Sequence, residues 1–598
     1  MAKQPQQLLQ SLVDQASDHQ LGIVGSPSNT TEITIDILQA QEESKILGQL
    51  VYTVIPQGKA HLAVLGQVSQ IETKNRWHED MTFRGIIKRR GNLPHLSGRA
   101  DVRTATISVQ AVFEVDGSDP EQNIVESVLA VSPSTGVAVY RVRDEVLDTL
   151  LLKHKQEIVY LGRAYSTDVR MPLWLKHFGN EDGGAGEAYQ IGVFGKTGSG
   201  KSGLAAYLLL GYARYKQMGI LFIDPQGQFS AGRSLPFDLR EKLKLIGRQV
   251  KTYSLGTQVH LQPDAPLFAK LLKRTNFYRR IGVRAKENQA YAEEEVTKAV
   301  KRELEEREAS LDNPGEGFLE AVLKKLASEP ATKMIYSSGE PLKRLISTLN
   351  SVLANANDLS SIESESWIPT LDLFAKKDSK GNPRTSLYYI INQVAGNSSN
   401  DRPIVFLDIS SSGGESGEDD EIKSLILRAI TNSIRHIGEQ AFKKNGEKIN
   451  CLIALDEAHR FAGRVRYEDD SEQGSLVNSF VNNVRETRKY GLGFMFITQS
   501  LASLHPEILG QLRIKFFGHG LNMGQELAKL KEEIGGDSQA LSLYTSFTDP
   551  ASSTKRQFPF MVTGPASPLS FTGAPLFFQT FTDFEKEFVI ANPFFRGR

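Results

Sequence analysis

The chain has 598 residues, 40% hydrophobic and 23% charged, with 70 Lys+Arg balancing 70 Asp+Glu. That length points to several domains at ~150 residues each, and a net charge of zero excludes a global basic field, so any DNA contact has to come from a local cluster. The single cysteine, Cys451, excludes internal disulfides and cysteine-cluster zinc sites and fits a reducing compartment. No run reaches the roughly eighteen apolar residues of a membrane span, and the polar start MAKQPQQLLQSL lacks the apolar stretch of a secretory signal. A soluble, cytoplasmic protein with no membrane partner is expected.

From about residue 20 to 170 the chain reads as β-rich. Short runs such as ITIDI, QLVYTVI, HLAVLGQV, TATISVQAVFEV and VAVYRV alternate with Gly, Pro and Asn turns, the pattern of a small barrel or sandwich. The glycine-rich GNEDGGAGEA at 179–188 reads as a linker. The division expected is a β-barrel domain over 1–170, a linker over 171–188, an α/β core over 189–552 with a helical insertion at about 258–400, and a C-terminal extension over 553–598.

The core opens on an apolar strand, then GKTGSGKS, then a helix with apolar positions at Leu204, Ala205, Leu208, Leu209 and Tyr212 that is expected to run to Gly219. Gly195, Gly200, Lys201 and Ser202 meet the spacing G-x-x-x-x-G-K-[ST] in the strand–loop–helix setting the motif requires. Glycines turn successive N–H groups inward around phosphate oxygens, and the helix N-terminus adds positive potential. The loop Gly195, Thr197, Gly198, Ser199, Gly200, Lys201, Ser202 and Gly203 is therefore expected to bind ATP, with Lys201 at the β/γ-phosphates and Ser202 on Mg²⁺.

A second strand, GILFIDPQGQ, ends near Asp224. The charge-dense AEEEVTKAVKRELEERE (292–308) reads as a solvated helix face with i,i+4 pairs. The acidic SSGGESGEDDE (411–421) reads as an exposed loop. PIVFLDIS, NCLIALDEA and LGFMFITQS are continuous apolar runs, as parallel strands buried on both faces require, and a doubly wound sheet with ligand at its carboxyl edge is expected.

In CLIALDEAHRF, Asp456 and Glu457 follow the apolar run. The Asp is placed to hold Mg²⁺ and the Glu to deprotonate an attacking water. Gln499, ending FMFITQS, is placed to touch both the γ-phosphate and that water. The letters DEAH do not mark a superfamily 2 helicase, because the tandem core and late glycine–arginine motif of such enzymes are missing. His459 is then a structural or coupling residue. Leu476, Val477, Phe480, Val481 and Val484 form an apolar helical stripe that ends near Gly491. Arg485 and Arg488 in its last turns either compensate the helix C-terminus or present a cation to a neighbouring subunit's γ-phosphate. Both readings stay open. Arg233, Arg460, Arg464 and Arg466 are basic residues that could line a pore if DNA passes through the protein, or could equally be surface arginines. The phenylalanine-rich tail has to lie on apolar surface, its own or a neighbour's.

GKTGSGKS, FIDPQGQ, LDEAHRF and RETRKYGLGFMFITQS, in that order after a β-rich N-terminal region, resemble the HerA-type hexameric ATPases, relatives of the FtsK translocases. The resemblance implies a RecA-like P-loop core with an N-terminal β-barrel, six subunits in a ring, ATP and Mg²⁺ at subunit interfaces, and double-stranded DNA in the central channel. It also implies a partner effector on the barrel, a NurA-type nuclease or, in antiphage defence, a sirtuin-like protein. Carried onto this chain, it makes Arg488 the finger in trans with Arg485 in reserve, and gives the tail a place over a neighbour's nucleotide. One departure stands out. Relatives read D-P-H-G-E where this chain has Asp224-Pro225-Gln226-Gly227-Gln228, so coupling between ATP and DNA is in question while ATP binding is not. A nucleotide-regulated scaffold that activates an effector without moving DNA is the competing expectation.

Overall fold

The computed structural model describes residues 19–58, 60–93, 95–115, 124–232, 235–255, 257–396, 401–410, 419–464 and 472–596. The N-terminal region forms seven strands: β1 (Gln20–Val24), β2 (Glu32–Ile37), β3 (Leu50–Gln57), β4 (Ala60–Lys74), β5 (Val102–Val115), β6 (Ile124–Glu126) and β7 (Ala138–Arg141). They run in the order β2-β1-β7-β3-β4-β5-β6, and pairing of β2 with β5 closes six of them into a barrel. Alternation drives this closure. In EITIDI, Ile33, Ile35 and Ile37 point inward while Glu32, Thr34 and Asp36 face out.

The second sheet has eleven strands: β8 (Ile158–Ala164), β9 (Arg170–Trp174), β10 (Ile191–Phe194), β11 (Gly219–Asp224), β12 (Val250–Ser254), β15 (Ile404–Asp408), β16 (Cys451–Leu455), β17 (Leu492–Thr498), β18 (Ile514–Gly518), β19 (Pro559–Thr563) and β20 (Leu576–Thr580). The order is β12-β15-β11-β16-β17-β10-β18-β19-β20-β8-β9. From β12 to β18 every pairing is parallel, and β10, β11, β16 and β17 are buried along their whole length, which is why their sequences are unbroken apolar runs. Cys451 is buried with the rest of its strand.

The last four strands are antiparallel and depart from the expected division. β8 and β9 lie in the ATPase sheet, so the expected barrel boundary at 170 and the linker over 171–188 cut through a hairpin of the core. The expected linker is also packed: Phe178 and His177 are fully buried. The tail, expected as an extension packing on its own or a neighbouring subunit, supplies β19 and β20 to the chain's own sheet. Gln67 of the barrel bonds both the N–H and the C=O of Phe577 at 2.8 Å, and Gln110 donates to Pro575 O at 2.8 Å, seating the barrel on β20.

Residues between β12 and β15 are mostly helical, entered at β13 (Val259–His260) and left at β14 (Thr385–Ser386), which pair with each other. Trp367 is buried at the centre of this insertion against Phe268, Phe277 and Phe318. The charged helix Lys286–Glu306 carries the pairs Lys298–Glu294 and Arg302–Glu306 on one face and buries Ala292, Val296 and Val300 on another. The expected acidic loop falls largely on residues 411–418, outside the described residues. Among the described residues no helix is long and apolar enough to cross a membrane.

Candidate nucleotide site

β10 delivers the chain to the phosphate loop at the carboxyl edge of the parallel strands. Gly195 and Gly200 adopt φ of 150° and 88°; a Cβ on Gly200 would stand 2.7 Å from the Phe558 ring, so the turn needs glycine for both conformation and space. The helix Lys201–Ala213 follows, buried from Leu204 onward, and stops at Ala213 rather than near Gly219. Lys201 Nζ donates to Lys196 O at 3.0 Å. Burial pushes its ammonium down to about 8, against the pull of Glu457 and Asp456. Ser199 Oγ is buried without a hydrogen-bond partner inside the loop.

β16 ends at Leu455 and places Asp456 and Glu457, both buried, opposite that loop. Asp456 accepts from the Glu457 N–H at 2.9 Å. Burial first, and Glu457 second, push its carboxyl up to about 7. Glu457 is left-handed at φ 47°, a conformation costly for a side-chain-bearing residue and concentrated at functional sites. Its Oε1 accepts from Gln499 Nε2 at 2.8 Å, and Gln499 Oε1 accepts from Thr197 Oγ1 at 2.8 Å. On the far side His459 Nδ1 stands 3.3 Å from Glu457 Oε2 and 3.1 Å from Thr498 Oγ1, and burial holds that imidazole below its ordinary range. Asp224, fully buried at the end of β11, caps the next turn through the N–H groups of Gln228 and Ser230.

These groups share a cavity of about 560 Å³ that Thr197, Gly198, Gly200, Lys201, Ser202, Gly203, Asp456, Glu457 and Gln499 all line. Sequence reasoning missed its remaining wall. Tyr207, Leu235 and Pro236 come from the core, while Arg556, Phe558, Thr580, Phe581 and Thr582 come from the tail. The Tyr207 hydroxyl is buried without a partner. The tail therefore covers its own subunit's pocket, where the resemblance places it over a neighbour's. Aromatic content was its one sequence signal, and that says apolar surface without saying which. A second cavity, about 490 Å³, lies in the helical insertion beside Arg280 and Thr348, away from the phosphate loop.

The arginines are not gathered here. Arg485 and Arg488 precede β17, whose far end leads to Gln499, so ~20 Å of strand separates them from their own phosphate loop. Arg488 holds Glu187 with Nε at 2.8 Å and a second bond from Nη2, and Arg513 shares the same carboxylate. Arg485 is looser, 3.7 Å from Glu507. Arg460 lies 5.8 Å over the Phe461 ring, and Arg464 is exposed after the Glu457 turn. Arg233 and Arg466 lie outside the described residues.

Mg²⁺ fits the donors present. Burial, with repulsion from Glu457 and Asp224, raises the Asp456 carboxyl to about 7 against the pull of Lys201. A hydroxyl and one carboxylate, completed by phosphate oxygens and water, is the donor set Mg²⁺ takes at such sites, and Ser202 and Asp456 line the same cavity. Among the described residues no group of three His, Cys, Asp or Glu is arranged to hold a metal by itself.

A parallel sheet with phosphate loop, acidic pair and polar residue on adjacent strand ends defines a P-loop NTPase. Residues 189–434 match the family described as Helicase HerA, central domain. None of the curated proteins compared with the chain matches it. Among solved structures, the chain is similar to VirB4 of Thermoanaerobacter pseudethanolicus at 14% identity over 71% of this chain and 96% of that one, TM-score 0.38. It is similar to the bacterial conjugative coupling protein TrwB (ΔN70) at 11% over 74% and 92%, TM-score 0.39. A third is the genome packaging NTPase B204 of Sulfolobus turreted icosahedral virus 2 with ATP-γS, at 8% over 65% and 96%, TM-score 0.26. At scores this low the fold assignment rests on the chain's own strands and on the family match.

Proposed function

We propose that this chain hydrolyses ATP as one subunit of a six-membered cytosolic ring and uses the hydrolysis to drive duplex DNA through the ring. The observation that carries the reading is the hydrogen-bonded line Thr197–Gln499–Glu457 across the mouth of the phosphate cavity. The loop N–H groups and Lys201 hold the triphosphate. Glu457, oriented from one side by Gln499 and from the other by His459, takes the proton of the attacking water, and Gln499 reports the state of the γ-phosphate to the acidic pair. Ser202 and Asp456 would hold Mg²⁺, which when bound neutralises charge on the β- and γ-phosphates.

A ring is supported by what the subunit's own site lacks. Arg488 and Arg485 sit at the opposite edge of the sheet from their own phosphates, so either can serve only an adjacent subunit; Arg488 is assigned the role, with Arg485 in reserve. Arg464 faces solvent where a pore loop is expected, together with Arg460, and Arg233 and Arg466 are assigned to the same DNA path. The barrel is the docking face for an effector, a nuclease or a sirtuin-like protein in antiphage defence. One observation favours the scaffold reading: Gln226 and Gln228, both neutral, line the cavity where HerA relatives carry coupling His and Glu.

ATPase turnover measured with and without duplex DNA, for the parent and for Arg464→Ala, decides between them. A motor shows DNA-stimulated turnover that Arg464→Ala reduces while basal turnover stays. A parent indifferent to DNA whose nucleotide state still controls an effector is a scaffold.

A further inference from the structure

Between β4 and β5 the chain leaves the barrel for residues 75–101 and forms two helices, Arg76–Glu79 and Met81–Arg90. This arm is built rather than slack. Buried Asn75 caps the first helix through the N–H groups of Trp77 and His78 and donates to Leu96 O at 2.9 Å and Asp101 Oδ1 at 2.7 Å. His78 Nε2 meets Ser97 Oγ at 2.8 Å, and Asp80 caps the second helix. Yet no side chain of Met81–Arg90 is fully buried; only Phe83 and Ile87 are half-buried.

In a chain of zero net charge these 27 residues carry six Lys/Arg against three Asp/Glu. Arg76, Arg84, Lys88, Arg89, Arg90 and Arg99 are all exposed, and among the described residues none has a carboxylate within ion-pair distance. Asp80 and Asp101 are already taken by the cap and by Asn75. Compensating a helix C-terminus accounts for Lys88, Arg89 and Arg90 at most. Arg76, Arg84 and Arg99 lie elsewhere on the arm.

We infer that the β4–β5 arm is a binding surface for the sugar–phosphate backbone of duplex DNA, separate from the pore; this rests on the DNA-motor reading. Charge complementarity selects the occupant. Cations spread around a helix and over the loop that follows match a line of phosphates bearing one charge per ~1.7 Å of duplex axis. Strand β4, from which the arm departs, touches the ATPase body where Ser69 Oγ stands 3.3 Å from Gln539 Oε1. Trp77, 41% exposed and edge-on to Phe83, is a reporter on the same surface.

The test uses the full chain with a non-hydrolysable ATP analogue and a fluorescent duplex, titrated across salt. In Lys88→Ala/Arg89→Ala/Arg90→Ala, the slope of log affinity against log salt falls by about 3 and affinity at ~100 mM salt drops about tenfold or more, with basal ATPase unchanged. Duplex also alters Trp77 emission in the parent, and Trp77→Phe loses that change. The charge-keeping Arg89→Lys/Arg90→Lys variant retains parental affinity. Parental affinity and slope in the alanine variant overturn the arm proposal while leaving the motor reading intact, and redirect the arm to an acidic protein. Loss of affinity in the charge-keeping variant likewise overturns it. A parent that binds no duplex at all sinks both.

Discussion

Gln499 Nε2 donates to Glu457 Oε1 at 2.8 Å while its carbonyl accepts from Thr197, so one amide ties the phosphate loop to the acidic pair. Under the proposed mechanism, loss of the loop's contact with a γ-phosphate would be felt at Glu457 through this amide. Glu457→Gln is expected to bind ATP with near-parental affinity and to lose ~10²–10⁴ in turnover. Lys201→Ala is expected to lose binding itself. Nucleotide binding and phosphate release, measured on both, check the pair. Near-normal turnover in Glu457→Gln removes it as the base.

Asp456 gives a stability prediction with a definite sign. Burial, with Glu457 beside it, raises its carboxyl to about 7 from an unfolded value near ~3.9. Its contribution is therefore fully present below about pH 4 and is lost as pH rises through about 7. Nucleotide-free Asp456→Asn is expected to unfold a few degrees above the parent at pH 8 and to match it near pH 4. Thermal unfolding at the two values checks this, and an equal difference at both would place the cause outside the carboxyl's ionisation.

Phe558 lies where a Cβ on Gly200 would strike it and lines the nucleotide cavity from the tail. Phe558→Ala is expected to weaken nucleotide binding about tenfold through lost contact with the base or ribose, with kcat changed far less. Gly200→Ala is expected to abolish binding. A kcat loss in Phe558→Ala at unchanged affinity would move the residue from binding to catalysis.

Arg488 is held on Glu187 of its own chain. Acting across subunits, it has to leave that carboxylate, and Arg488→Ala is expected to cost ~10³ or more in turnover. Mixed rings with Lys201→Ala are expected to recover part of it, because some interfaces then join an intact Lys201 to an intact Arg488. Recovery by Arg485→Ala but not Arg488→Ala in verified mixed rings assigns the finger to Arg485.

What the sequence makes legible follows from how far each feature reaches along the chain. The phosphate loop and Asp456–Glu457 are local: glycine spacing and an apolar run ending in acids encode backbone and environment within a dozen residues. The stripe Leu476 to Val484 is legible because one helix face is buried as a unit. PFMVT and LFFQT are ordinary short strands whose partners are remote, so nothing near them says that they complete the ATPase sheet. Arg556 and Phe581 reach the cavity only through that placement. The run KRR at 88–90 is visible as charge, but its exposure follows from the arm that β4 and β5 project.

Pairing of β8 with β20 sets Gly162 opposite Thr580, and this has a consequence for synthesis. At ~5–20 residues per second, β8 leaves the ribosome some tens of seconds before the strand that covers it, about 400 residues later. Throughout that interval the nascent core offers an open strand edge, which invites pairing with other chains. A message cut short before β20 therefore yields a product that exposes this edge permanently and is open to aggregation and proteolysis. Synthesis through Thr582 is the point at which the sheet can close and the tail can line the cavity.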